Sequence, residues 1–288
     1  MSHMMIRRRS WVPYALMVPA LLYLAVFFVY PLLEAFVLSF RGEGGRFTLE
    51  FFRQMAGDTY FRGAVRNSFL LTLLVVPLQL IIALLISLIV NTRFRAASTF
   101  LYICAIPLGI SDLAAGLIWL SVFTERGYLN TILGGLGLTA QPITFLTPER
   151  LDWLYGAIVV TEVWRATAIV MVILVAGLQL VPRDYLEAAD VFGARPWQKL
   201  WRITLPLLMP SLQAALMIRT ILALQLFATV ITLSGRLVPV LAGEAYFWYS
   251  TYRNFHVASA YAVLIMVISF LITFLYLRLL RTKAEALA

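Results

Sequence analysis

Long apolar runs recur along the chain, and the short polar segments between them carry most of its charges. A bilayer core ~30 Å thick takes about 20 helical residues to cross. Six stretches reach that length: Pro13 to Leu38, Asn67 to Val90, Thr99 to Phe123, Trp153 to Leu180, Thr204 to Leu233 and Val257 to Leu280. They predict an all-α integral membrane protein with a six-helix transmembrane domain over residues 13–280, flanked by short tails at 1–12 and 281–288. The first run follows Arg7-Arg8-Arg9 but is too long for a signal-peptide core and lacks a small-residue cleavage site, so it reads as a retained helix. Between the first two runs, Phe47 to Arg66 mixes aromatic and charged residues as an interfacial helix does, and Tyr128 to Leu138 fits a short outer helix stopped by glycines; the alternative for both is an ordinary connector. Pro19, Pro31, Pro77, Pro107, Pro206 and Pro210 fall in or beside the runs, where they free carbonyls and permit kinks.

Composition strengthens the membrane reading. Of 288 residues 62% are apolar and 13% charged, against about 25% charged in soluble domains. The net charge of +9 fits an anionic bilayer surface better than nucleic acid at this hydropathy. With the amino terminus inside, the inner segments hold twelve Lys and Arg and the outer segments nine. That bias places both termini in the cytoplasm of a multi-pass plasma-membrane protein. Cys104 is the single cysteine, and His3 and His256 are the two histidines, so disulfides, multi-cysteine metal sites and histidine-rich catalysis are excluded. His3 lies in a Met-Ser-His-Met start that resembles a cloning remnant.

The longest inner polar segment, 181–203, is punctuated as two short helices. Pro182 suits a first turn, Asp184 and Glu187 favour the positive amino end, and Gly193 can take the left-handed conformation that stops a helix. Pro196 opens a second helix carrying Trp197, Lys199, Leu200 and Trp201. On the first, Tyr185, Ala188, Ala189 and Phe192 fall at three- and four-residue spacing, with Glu187 beside them. Such a helix either lies on the membrane surface or fits a groove in another protein.

Glu187-Ala188-Ala189, three residues, Gly193, nine residues and Ile203-x-Leu205-Pro206 together resemble the EAA loop of permease subunits of ATP-binding-cassette (ABC) importers. The likeness extends to Arg66-Asn67-Ser68 and Asn91, to Ile106-Pro107 with Gly116-Leu117-Ile118-Trp119, to Ala176-Gly177-Leu178-Gln179 with Pro182, and to Arg219-Thr220-Ile221. These are similar to carbohydrate-type permeases, in particular the first permease of trehalose, maltose and glycerol-phosphate importers. Leu222 and Ala228 stand where such permeases often carry acids, and Leu233-Ser-Gly-Arg-Leu-Val-Pro-Val-Leu replaces a glycine-rich outer turn. The resemblance implies a type I importer permease fold and a second permease as partner. It also implies two ATPase subunits that bind ATP and Mg, and an extracytoplasmic solute-binding protein that delivers a sugar. Tyr185, Glu187, Ala188, Ala189, Phe192 and Gly193 would then couple to the ATPase. This chain has no Gly-x4-Gly-Lys-Ser/Thr run, so no cofactor is expected on it and the motor is another chain.

Asp112, Glu162, Arg165 and Arg219 lie inside the runs. Each ionised side chain at mid-bilayer costs roughly 2.5 to 3.5 kcal/mol, so they cannot all face lipid. Counting ~1.5 Å per residue puts Asp112, Arg165 and Arg219 about 20 to 22 Å deep and Glu162 nearer about 27 Å. One reading has this layer border a translocation cavity for a polyhydroxylated solute, with Trp119, Gln225 and Tyr246 as further contacts; the other is an ion-pair network that fixes packing. Arg165 and Arg219 would also suit glycerol phosphate. A channel or an intramembrane enzyme is the competing class, but neither His-Glu-x-x-His nor a Gly-x-Ser-x-Gly elbow occurs.

Overall fold

The computed structural model describes residues 11–279 except Arg93. Most of both tails lies outside the described residues, with Arg7, Arg8, Arg9, Arg93, Arg281, Lys283 and Glu285 of the charge count. Five long apolar helical segments, Tyr14–Phe40, Phe61–Asn91, Pro148–Gln179, Pro196–Leu224 and Phe255–Leu279, can each cross a bilayer, and a bent pair, Ala97–Gly109 with Asp112–Gly135, makes a sixth passage.

In chain order the helices are α1 (Val12–Leu24), α2 (Tyr30–Phe40), α3 (Glu50–Gly57), α4 (Phe61–Asn91), α5 (Ala97–Ala105), α6 (Asp112–Phe123), α7 (Tyr128–Gly135), α8 (Leu151–Gln179), α9 (Arg183–Val191), α10 (Pro196–Lys199), α11 (Leu205–Leu224), α12 (Ala228–Ser234), α13 (Leu241–Ser250) and α14 (Phe255–Leu279). The amphipathic α3 and the short α7 fall within the two connecting segments read as helical, although the first segment breaks after Gly57 and residues 61–66 open α4.

Two π-helical turns, Ala25–Val29 and Leu200–Thr204, join α1 to α2 and α10 to α11. Each is followed within two residues by a proline, Pro31 or Pro206. A proline ring denies the carbonyl four residues earlier its hydrogen bond and clashes with it; a wider turn takes up the extra residue without breaking the rod.

The third passage is not the continuous Thr99–Phe123 helix that hydropathy predicts. After α5 comes one 3-10 turn, Ile106–Gly109, and the axis swings by 101° before α6 begins. Ile110 is extended, and Ser111 caps α6 by accepting the Ala114 amide at 3.2 Å, with Asp112 in the first turn. Ser-Asp is a helix-start signal, here hidden inside an apolar run. The fifth passage also departs from expectation: α11 stops at Leu224 rather than Leu233, and Phe227 (φ −143°, ψ −63°) turns the chain into α12. No Pro or Gly marks this break, so tertiary contacts set it against local propensity.

α4 and α8 pack along their lengths, α11 lies across both, and α14 packs on α2, α11 and α13. Three apolar clusters result. One joins Leu71, Phe123, Leu154, Ile158 and Val230; a second joins Ala83, Met171, Leu174, Leu208 and Leu212; a third joins Met55, Leu241, Val257 and Tyr261. Every described side chain of α1 is exposed, an apolar surface suited to lipid or another subunit.

α12 reaches α6 through Gly116, where an added Cβ would stand 1.9 Å from Thr232 Oγ1 and 2.9 Å from Thr232 Cβ. Gly116→Ala is therefore expected to lower stability by roughly 1–3 kcal/mol, read as the unfolding midpoint in detergent. Thr232→Ala in the same chain should recover part of the loss, and an unchanged midpoint in Gly116→Ala would contradict the contact.

Candidate functional site: a buried charge layer and a polar-loop helix

Four of the intramembrane charges, Asp112, Glu162, Arg165 and Arg219, meet in one chain of contacts. On α8, Glu162 is fully buried. Its Oε2 accepts from Arg219 Nη2 at 3.0 Å and Arg165 Nη2 at 3.2 Å, and its Oε1 accepts from Thr229 Oγ1 at 2.7 Å. Arg165 Nη1 reaches Asp112 Oδ1 at 2.8 Å. Gln79 on α4 completes the layer, its amide donating to the Glu162 carbonyl at 2.7 Å while its oxygen accepts from Arg219 Nε. Two cations face two anions, so the layer is neutral overall.

Its place follows from the sequence of each helix. Along α4, α8 and α11, Gln79, Glu162 and Arg219 each fall between residues of the first apolar cluster and residues of the second. The polar layer is thus sealed above and below by hydrocarbon, which strengthens its internal hydrogen bonds and makes an unpaired member costly. Depth counting set Glu162 apart from Arg219. The structure joins them, because a long arginine arm spans about one helical turn, and Asp112 meets Arg165 as the count has it although its helix is broken just before it.

Of the other predicted pathway residues, Trp119 stacks on Phe123 at 5.3 Å and meets Trp164 edge-on at 5.9 Å, with its Nε1 buried and unpartnered. Gln225 is exposed at the end of α11, on a groove of about 590 Å³ shared with Phe36, Met266 and Ser269. Tyr246 packs on Phe227 at 4.7 Å. Gln225 and Tyr246 make no hydrogen bond to the charge layer among the described residues.

Sequence reasoning missed Gln79 and Thr229. A lone glutamine in Val75-Val-Pro-Leu-Gln-Leu-Ile-Ile was the available signal for the first; nothing local marks the second. It also missed an outer cluster. Arg236 pairs with fully buried Glu244, donates to Tyr252 at 2.9 Å and lies 3.8 Å over the Tyr60 ring. Burial pulls this guanidinium's pKa down, but the hydrogen bonds it donates to Glu244 and Tyr252 outweigh it and hold the pKa above its ordinary value. Nearby, Asn67 donates to the Pro239 carbonyl at 2.9 Å and Ser68 Oγ accepts the Leu241 amide at 2.9 Å. The Arg66-Asn67-Ser68 stretch thus pins the loop between α12 and α13 to α4.

In the polar loop 181–203, Pro182 is the residue that caps α9 rather than its first turn, and the helix stops at Gly193 with φ +71°. The Ala194 amide returns to the Ala189 carbonyl at 2.9 Å, closing the end as a left-handed glycine permits. Tyr185, Glu187 and Ala188 are exposed, Phe192 is 89% exposed, and Ala189 is half-buried toward the body. Lys199 on α10 pairs with Asp190 at 2.6 Å, tying α9 to the start of α11.

This architecture matches known proteins. A family model described as "binding-protein-dependent transport system inner membrane component" matches residues 55–284. The chain belongs to that family. Among relatives of the permease, the sulfoquinovosyl glycerol transport system permease protein SmoG of Agrobacterium fabrum is 33% identical, covering 93% of this chain and 90% of the relative. The trehalose/maltose transport system permease protein MalF of Thermococcus litoralis is 29% identical over 96% of each chain. A solved bacterial ABC transporter involved in import of the acidic polysaccharide alginate superposes with a TM-score of 0.81 at 22% identity, over 95% of the permease and 96% of that chain, which shows the shared importer-permease fold.

Removing one member of a buried charge pair leaves the other uncompensated, at about 3–5 kcal/mol. Arg219→Met is expected to lose stability in that range on unfolding in detergent. Arg165→Met should lose clearly less, because Asp112 is half exposed and Glu162 keeps Arg219 as a partner. Equal losses would contradict the different burial of the two arginines.

Proposed function

We propose that this permease forms, with a second permease, the path by which an ABC importer takes up a sugar, and that α9 carries the stroke of two ATPase subunits into the membrane. The observation that carries this reading is α9 itself. It is a capped helix at the membrane's polar edge that leaves Tyr185, Val191 and Phe192 exposed. Apolar side chains on so polar a loop are stable only under a cover, and a groove in an ATPase subunit supplies one. Glu187 projects beside them and also lines a polar hollow of about 460 Å³ with Asn91, Gln179 and Arg183.

The same reading puts ATP and Mg on the partner ATPases, both termini in the cytoplasm, and a solute-binding protein on the outer face. A transporter of the same fold has been solved in complex with a periplasmic protein loaded with an alginate pentasaccharide, which supports such a partner here. Relatives named for trehalose, maltose and alpha-glucosides support a sugar as cargo. The layer of Asp112, Arg165 and Glu162 borders the path, and Asp112 is its exposed member.

Glu187→Lys is expected to leave the complex assembled while uptake into proteoliposomes falls at least about tenfold, the equivalent of ~1.4 kcal/mol of lost coupling. ATP hydrolysis should no longer respond to the loaded binding protein. Normal uptake by this variant would refute the role of α9.

A further inference from the structure

The members of the charge layer are unequally exposed. The Glu162 side chain is 0% exposed, Arg219 2%, Arg165 17% and Asp112 51%. Both guanidiniums are engaged from within: Arg219 by Gln79 and Glu162, Arg165 by Glu162 and Asp112. A solute arriving at this layer therefore meets a carboxylate first, with the positive charge behind it.

We propose that Asp112 is a specificity-determining residue of the solute path, an electrostatic filter that rejects anionic solutes and admits neutral polyhydroxylated ones. The inference rests on the reading that this layer borders the path.

The chemistry is asymmetric. Asp112 Oδ1 is held by Arg165, whereas Oδ2 has no protein donor among the described residues. A neutral polyol can donate a hydroxyl to Oδ2 without disturbing any ion pair. A carboxylated, sulfonated or phosphorylated solute has to approach a like charge, or displace Asp112 from Arg165 and strand the carboxylate. The two arginines, read from sequence as attractive to a phosphate, are thus screened from it by their own counter-ions. The break at Ile110 and Ser111 produces this arrangement: a straight third passage would carry residue 112 along a helix side, whereas the observed cap sets it at a helix end.

The test works whichever solute the transporter carries. Ser111 is exposed beside Asp112, so Ser111→Cys in a Cys104→Ala background places a thiol at the filter. The complete transporter complex in proteoliposomes is treated with a cationic trimethylammonium-ethyl and an anionic sulfonatoethyl methanethiosulfonate, each rate being divided by that on a free thiol in solution. The normalised rates should favour the cation by about tenfold or more, as a nearby unit charge in a partly screened site dictates. Adding Asp112→Asn uncovers Arg165 and should bring the ratio below parity, while Asp112→Glu should retain it. A normalised ratio at or below one in the parent, or no change with Asp112→Asn, would overturn the filter. If Asp112→Asn fails to accumulate, the parental ratio and that of Asp112→Glu decide. If neither reagent reacts, the position is not reached by water; the reading of the path then falls, and the filter with it, an outcome distinct from reaction without charge preference.

Discussion

One buried carboxylate organises the membrane domain. Glu162 accepts from Arg219 on α11, Thr229 on α12 and Arg165 on its own helix, and Arg165 passes the connection on to Asp112 on α6. Glu162, Arg219 and Thr229 are buried in hydrocarbon without water as an alternative partner, so each is tied to the position of the others. The apolar clusters on either side supply packing without direction. The polar layer supplies direction, because a hydrogen-bonded ion pair tolerates little slip.

That constraint explains where the helices break. α6 and α12 are the short members of two interrupted passages, and they meet each other at Gly116 and Thr232 while both contact the charge layer. A continuous α11 would carry residue 229 about 15 Å beyond Arg219 along the helix axis, away from Glu162. The two π turns act differently: they let Pro31 and Pro206 sit in rods that remain connected. The second of them lies between the α9–α10 pair and α11, the helix that ends in the break and carries Arg219. On the proposed function, a push on α9 is transmitted by Lys199 and Asp190 into α11 and reaches the charge layer through it.

The coarse architecture was legible because hydrocarbon thickness dictates run length, and the α9 segment because Gly193 and the flanking prolines punctuate it. That these four charges should share partners was legible, since they cannot all face lipid. The geometry of their meeting was not. Ser111-Asp112 is a helix start, yet a hydropathy window averages it into Leu108-Gly-Ile and Leu113-Ala-Ala around it. The stop at Leu224 has no local marker, because Thr229 and Gly116, far apart in sequence, create it. Gln79 is uncharged and escapes a search for charges, although it holds both Arg219 and the Glu162 backbone. Arg236 and Glu244 read as ordinary loop charges until α13 folds back and buries the carboxylate.

The most direct test of this organisation is amide hydrogen exchange, measured peptide by peptide on the permease in its assembled complex, comparing the parent with Glu162→Gln. If one carboxylate holds α6, α11 and α12 in register, exchange should quicken together in Ser111–Gly116 and Ala228–Thr232, regions distant in sequence, while α3, α13 and the outer half of α14 keep their protection. A change confined to the residues flanking position 162, or one spread evenly over all the helices, would contradict it.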